Sequence, residues 1–142
     1  MITLSCSLME GISTRGTFDA AGEVIWILED DPDIGFVLEI FLDQEGFKTE
    51  LLNTAGKFRE ATERGLPDLF LMDVMLPDGD GVDLCNVLKA QERSRNIPVL
   101  MMSAHADLAR INDCRPNGFL AKPFDLEKLL VLVRAQLGQA SR

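Results

Sequence analysis

Three acidic residues, a hydroxyl and an amine each follow an apolar run of this chain. Glu29 and Asp30 come directly after the run VIWIL, and Asp73 comes directly after LFLM. Ser103 and Lys122 follow two later apolar runs. Taken singly, each residue has an ordinary explanation: turn or helix-cap chemistry for the acidic residues and Ser103, and a solvated side chain for Lys122. Together they are the kinds of group that bind a hard cation and neutralise a phosphoryl group.

The apolar runs predict where these polar residues lie in the fold. Short continuous runs, such as 24–28 and 69–72, are typical of strands that are covered on both faces. Segments with apolar residues at helical spacing follow them, as in 33–45 and 125–137. Five strands alternating with five helices predict an α/β fold, a doubly wound parallel sheet with helices on both faces. Ligands bind at the carboxyl ends of such strands, where the polar residues are expected.

An acidic cluster at that edge requires a compensating charge. Two unpaired carboxylates about 4 Å apart repel by roughly 4 kcal/mol at an effective dielectric of about 20. Oxygen ligands without thiolates or imidazoles favour Mg²⁺ (or Mn²⁺) over zinc or copper. A carboxylate beside such a cation can act as a nucleophile toward a phosphoryl group, with Lys122 and Ser103 neutralising its oxygens.

Length, net charge and cysteine spacing narrow the classes of protein to which this chain can belong. The 142 residues suffice for one domain, which we place at 24–138, between a poorly ordered extension (1–23) and a short tail (139–142). The net charge of −9 argues against direct binding of nucleic acid, and no apolar run is long enough to cross a membrane. The three cysteines have neither metal-site nor disulfide spacing, which favours reduced thiols in the cytoplasm.

Four motifs in order resemble the receiver domain of two-component response regulators, the family of the chemotaxis regulator. They read ILEDDPDI (27–34), LFLMDVMLPDGDG (69–81), VLMMSAHAD (99–107) and FLAKPF (119–124). The resemblance implies a flavodoxin-like (βα)5 fold with the strand order 2-1-3-4-5. It also implies that the protein accepts a phosphoryl group and is not an enzyme that turns over an external substrate.

The resemblance implies a role for each matching position. Asp73 would be the phosphoacceptor, with Asp30 a direct Mg²⁺ ligand and Glu29 acting mainly through water. The backbone carbonyl of Met75 would be a further ligand. Four other positions complete the site: the switch hydroxyl of Ser103, the backbone N–H of Ala104, the ammonium of Lys122 and the aromatic switch Phe119. The Lys122–Pro123 peptide bond is expected to be cis. Asp31, Asp78 and Asp80 are interpreted as turn residues, and Asp33 as a turn or helix-cap residue.

The segment between Ser103 and Lys122 departs from the family pattern. Its span of 19 residues is a few shorter than usual, and it contains Pro116, which cannot lie inside a helix. We therefore expect a short or irregular fourth helix. The family's dimerisation and output face includes this region, so a homodimer and its geometry stay open.

The function expected from these observations is a phosphorelay switch. A sensor histidine kinase or histidine phosphotransfer protein would phosphorylate Asp73, and the product would bind a downstream protein whose identity the sequence does not reveal. One alternative is an interaction module that works without phosphorylation. A Mg²⁺-dependent phosphatase with an aspartate nucleophile is disfavoured, because the general acid expected two residues after Asp73 is replaced by Met75.

Overall fold

The computed structural model describes residues 22–104 and 108–138, and it contains one five-stranded parallel sheet. We number the strands of this sheet along the chain. They are β1 (Val24–Leu28), β2 (Lys48–Leu52), β3 (Leu69–Asp73), β4 (Val99–Ser103) and β5 (Gly118–Ala121). Their order across the sheet is β2-β1-β3-β4-β5, which confirms the predicted order and the flavodoxin-like fold class. The predicted extension, apart from residues 22 and 23, and the predicted tail lie outside the described residues.

Helices connect the strands, and side-chain caps begin four of them. The helices are α1 (Pro32–Gln44), α2 (Ala55–Arg64), α3 (Gly81–Ala90), α4 (Leu108–Asn112) and α5 (Leu126–Gln136). Asp31 is the N-cap of α1, since its side chain accepts hydrogen bonds from the N–H groups of Asp33 and Ile34. The prediction of a capping role for Asp33 was therefore wrong. The residue lies instead in the first turn, because Pro32 occupies the first helical position.

The core forms two layers, one on each face of the sheet. Successive residues of a strand point to opposite faces, so Trp26 packs in one layer and Ile27 in the other. The first layer is covered by α2 and α3, and Trp26 makes edge-to-face contacts with Phe58 and Phe70 there. The second layer is covered by α1 and α5, with buried residues such as Leu38 and Leu129. Two-sided burial explains why the central strands are continuously apolar.

The fourth helix is short, as predicted, and has five residues. Arg115, which follows it, has a φ of 52°, a left-handed conformation that suits glycine better than arginine. Pro116 and Asn117 then lead into β5, and the Asn117 side chain accepts a hydrogen bond from the N–H of Val99. In the described part of the chain, no helix has the length and apolarity needed to cross a membrane.

Candidate functional site

The carboxyl ends of β1 and β3 bring the three predicted acidic residues together. Leu28 is the register partner of Met72, so Glu29 and Asp73 follow adjacent positions of neighbouring strands. Glu29 is 1% exposed and Asp73 is 8% exposed, whereas Asp30 is open to solvent. One carboxylate oxygen from each of the three residues lies within 4.8 Å of the others. The cluster expected from the sequence therefore forms.

Lys122 extends from the end of β5 into this acidic cluster. Its Nζ donates hydrogen bonds to Glu29 Oε1 at 2.6 Å and to Asp73 Oδ2 at 2.9 Å. Its backbone N–H donates to the carbonyl of Ser103 at 2.8 Å, and the Lys122–Pro123 peptide bond is cis. One ammonium therefore bridges the two buried carboxylates, while the sequence reasoning expected it to face a phosphoryl group.

Burial and neighbouring charges shift the pKa values of Glu29 and Lys122. Burial is the main cause that raises the pKa of Glu29; the neighbouring Asp73 raises it further, and the Lys122 hydrogen bond opposes the shift. Burial alone would lower the pKa of Lys122, but its hydrogen bonds to Glu29 and Asp73 outweigh burial and raise it. Lys122 is therefore held in its charged form.

The donor set of the cluster suits a divalent hard cation. Within the described residues, the cluster has three carboxylates, and the Lys122 ammonium contacts two of them, which leaves two negative charges in excess when all are ionised. The ligand atoms on offer are oxygens, and Asp30 is open to solvent, which leaves room for bound water. Mg²⁺ prefers such ligands and keeps several of its waters. The residues present therefore fit Mg²⁺ or Mn²⁺.

A two-stranded hairpin follows β3 and covers one side of the site. We call it the site hairpin (75–80); it pairs Met75–Leu76 with Gly79–Asp80. The Met75 N–H donates to Asp73 Oδ1 at 3.4 Å, and its side chain is 65% exposed. The chain leaves the hairpin at Gly81, where a Cβ would collide with the backbone of Asp73. Glycine is therefore required at position 81, because the backbone passes too close to Asp73 for a side chain.

The aspartates of the hairpin have roles beyond turn formation. Asp78 accepts hydrogen bonds from the N–H groups of Ala55 (2.7 Å) and Gly56 (3.0 Å) at the start of α2. These two bonds lower the pKa of Asp78, and the bond from Ala55 has the larger effect. Asp80 is the N-cap of α3 and forms an ion pair with Arg110 on α4 at 2.7 Å. Sequence reasoning missed the contact of Asp78 because its partners lie more than 20 residues away.

The predicted switch residues lie on the other side of Asp73. Ser103 is buried (3% exposed) at the end of β4, next to β3, and Ala104 beside it is exposed. Phe119 is half-buried on β5, opposite Met101. His105, which belongs to the motif at 99–107, lies outside the described residues.

An apolar groove next to the site was not predicted. It has a volume of about 610 Å³ and lies between α1 and the segment that follows β5, with Val37, Lys122 and Phe124 among its lining residues. Val37, which lines the groove, is 49% exposed, and its neighbour Phe36 is 62% exposed. The available sequence signal was the apolar pair Phe36 and Val37, which lies between the buried positions Gly35 and Leu38 of α1.

Comparison with known proteins supports a single family. The profile of the response regulator receiver domain matches residues 25–134. The chain is 36% identical over 121 residues to the DNA-binding dual master transcriptional regulator RpaA of Synechocystis, covering 83% of this chain and 50% of that protein. It is 35% identical over 112 residues to the regulator NtrC of Proteus hauseri, covering 77% and 23%. The chain thus spans about half the length, or less, of these curated relatives.

Solved structures show the same likeness. The signal receiver domain of a signal transduction histidine kinase from Syntrophus aciditrophicus has a TM-score of 0.79 and 30% identity, covering 85% of this chain and 94% of that one. The receiver domain of a sensor histidine kinase from Pseudomonas aeruginosa, solved with a magnesium ion in its active site cleft, has a TM-score of 0.76 and 30% identity, covering 83% and 99%. The chain therefore belongs to the response regulator receiver domain family, whose members are signalling modules.

Proposed function

We propose that this protein is the phosphoacceptor of a two-component phosphorelay and that Asp73 receives the phosphoryl group. The observation that carries the proposal is the environment of Asp73. Its carboxylate lies at the ligand edge of the sheet, hydrogen-bonded to Lys122 and Met75, with Glu29 and Asp30 within 4.8 Å. A sensor histidine kinase or a histidine phosphotransfer protein is the proposed donor.

The chemistry is a phosphoryl transfer from nitrogen to oxygen. A carboxylate oxygen of Asp73 attacks the phosphorus of a phosphohistidine, the O–P bond forms as the P–N bond breaks, and the imidazole leaves with the electron pair. The ammonium of Lys122, the hydroxyl of Ser103 and the N–H of Ala104 donate to the phosphoryl oxygens. When Mg²⁺ is bound, it neutralises much of the remaining phosphoryl charge. Its proposed ligands are Asp30, Asp73, the Met75 carbonyl and, through water, Glu29.

Phosphorylation then changes the surface that binds a partner. The new group carries close to two negative charges, which attract Lys122 and the Ser103 hydroxyl. Phe119 turns inward as Ser103 moves. Shifting an inactive-to-active ratio from 99:1 to 1:99 requires about 5.5 kcal/mol of differential stabilisation. Several charge-assisted hydrogen bonds of about 1.5–3 kcal/mol each can supply most of it.

The proposed partner is a protein, and the proposed location is the cytoplasm. The net charge of −9 disfavours direct contact with nucleic acid by this domain, although RpaA is described as DNA-binding. We propose no turnover of an external substrate, because the Met75 side chain, two residues after Asp73, has no proton to donate as a general acid.

Intact-mass measurement tests the proposal. The protein is incubated with acetyl phosphate and Mg²⁺, and separately with a phosphorylated histidine phosphotransfer domain. We expect the mass of one phosphoryl group to be added, in a base-labile form, and expect no addition with EDTA or in Asp73→Ala. Asp33→Ala, which removes an exposed carboxylate from α1, is the matched control and should be phosphorylated normally. No adduct from either donor would refute the proposal and favour an interaction module that is not phosphorylated.

A further inference from the structure

The tip of the site hairpin is anchored to a helix that has no part in the chemistry. Asp78 lies at this tip, and both oxygens of its carboxylate accept backbone hydrogen bonds from the first turn of α2. These bonds, at 2.7 and 3.0 Å, join residues that are 23 and 22 positions apart in the chain. The hairpin is therefore held from outside its own segment.

The start of α2 already has a local cap. Thr54 precedes the helix, and its Oγ1 accepts a hydrogen bond from the Lys57 N–H at 3.1 Å. Asp78 is thus a second side chain that accepts hydrogen bonds from the N-terminus of α2. Unlike Thr54, it belongs to the hairpin and not to the segment next to the helix. Close packing accompanies the bonds, since a Cβ at Gly79 would lie only 2.9 Å from the Cβ of Ala55. The hairpin therefore lies directly against α2.

The other end of the hairpin touches the phosphoacceptor. The N–H of Met75 donates to Asp73 Oδ1 at 3.4 Å, and Met75 is the register partner of Asp80. Each strand of the hairpin has only two residues. Isolated two-stranded hairpins are marginally stable, even when they are longer than this one. Its backbone position relative to Asp73 therefore depends on its attachments, which are the Asp78 bonds to α2 at the tip and Asp80, the N-cap of α3, at the base.

We infer that Asp78 is a positioning residue, which anchors the site hairpin to α2 and thereby holds the Met75 backbone at the Asp73 carboxylate. The inference rests on the proposed function, because the Met75 carbonyl is a proposed Mg²⁺ ligand. Without the Asp78 bonds to α2, the hairpin samples other positions, and the Met75 carbonyl is no longer preorganised to bind the cation. Groups that orient metal ligands in this way typically change metal affinity by about 10- to 100-fold when they are mutated.

Three variants separate positioning from simple helix capping. Asp78→Ala removes the anchor, Asp78→Asn keeps one oxygen acceptor with the same loss of charge, and Thr54→Ala removes the local cap of α2 without touching the hairpin. Mg²⁺ affinity is measured by calorimetry, and exchange of the Met75 amide proton is measured by NMR without metal. We expect Asp78→Ala to weaken Mg²⁺ binding about tenfold and to accelerate Met75 exchange, with a smaller effect for Asp78→Asn.

The matched control should behave differently. Thr54→Ala should lower the melting temperature, as loss of a cap does, but leave Mg²⁺ affinity within about twofold and Met75 exchange unchanged. Equal effects of Thr54→Ala and Asp78→Ala on both readouts, or no effect of either variant, would overturn the inference. If the wild-type protein bound no Mg²⁺ and accepted no phosphoryl group, the proposed function would fail. Met75 exchange, which needs no metal, would still decide whether Asp78 positions the hairpin.

Discussion

Replacing Lys122 by methionine tests the electrostatic account of the site most directly. Methionine keeps an unbranched apolar stem but removes the ammonium that contacts both Glu29 and Asp73. The two carboxylates are 1% and 8% exposed, so water cannot readily replace the lost partner. We expect the folded state to lose stability at neutral pH, because two buried charges are left uncompensated.

The distances give the size of the effect. With Lys122 Nζ at 2.6 Å from Glu29 and 2.9 Å from Asp73, each pair contributes about 6 kcal/mol of attraction at an effective dielectric of about 20. Desolvation of each buried ion offsets several kcal/mol of this. Measured losses on removing one partner of a buried ion pair are about 3–5 kcal/mol. We expect Lys122→Met to lie in that range.

The pH dependence provides a second test of the same variant. Burial and Asp73 already raise the pKa of Glu29, and loss of Lys122 removes a hydrogen bond that opposes the shift. Between the usual and the raised pKa, the folded state binds a proton that the unfolded chain does not. Stability therefore rises as pH falls through the raised pKa. The deficit of Lys122→Met should accordingly shrink between pH 7 and pH 5.

Urea unfolding measures both effects. Trp26, the single tryptophan, is 6% exposed, so its fluorescence reports on the core. Titrations in EDTA at pH 7 and pH 5 give the free energy of unfolding, and Mg²⁺ should restore part of the loss. Lys128→Met, which removes an exposed lysine from α5, is the control and should stay within about 0.5 kcal/mol of wild type. A Lys122→Met protein within about 1 kcal/mol of wild type at pH 7 in EDTA would refute the reasoning.

Three further substitutions have defined outcomes in the same unfolding assay. Asp73→Asn should leave the free energy of unfolding in EDTA within about 1 kcal/mol of wild type, or raise it. The reason is that Lys122 then neutralises the Glu29 carboxylate alone. A loss of more than about 1 kcal/mol would contradict this expectation. Arg115→Gly should raise the free energy of unfolding by up to about 1 kcal/mol by relieving the left-handed backbone of Arg115, and a decrease would argue against strain there. Gly81→Ala should lower the free energy of unfolding by about 2 kcal/mol or more, because the new Cβ collides with the Asp73 backbone. Near-wild-type stability would show that the backbone at residue 81 can move away from Asp73.

Local sequence patterns were sufficient to predict the α/β class and the acidic edge, whereas the strand order followed from the resemblance to the receiver family. The runs at 24–28 and 69–72 are apolar throughout because both faces of the central strands are buried, and this burial makes them recognisable. Asp73 could be placed at the ligand edge because it ends such a run. Pro116 likewise predicted the short fourth helix, since a proline cannot continue it.

The pairing of side chains was decided only by the tertiary structure. Lys122 contacts Glu29 and Asp73 across 93 and 49 positions, and Asp78 binds α2 across 22 and 23. A linear sequence shows which groups end each strand, but not which of them come within 3 Å of one another. Strand register and the docking of the hairpin on α2 determine those distances. The residue types at the site follow from the sequence, whereas the Lys122 bridge and the Asp78 anchor follow from packing.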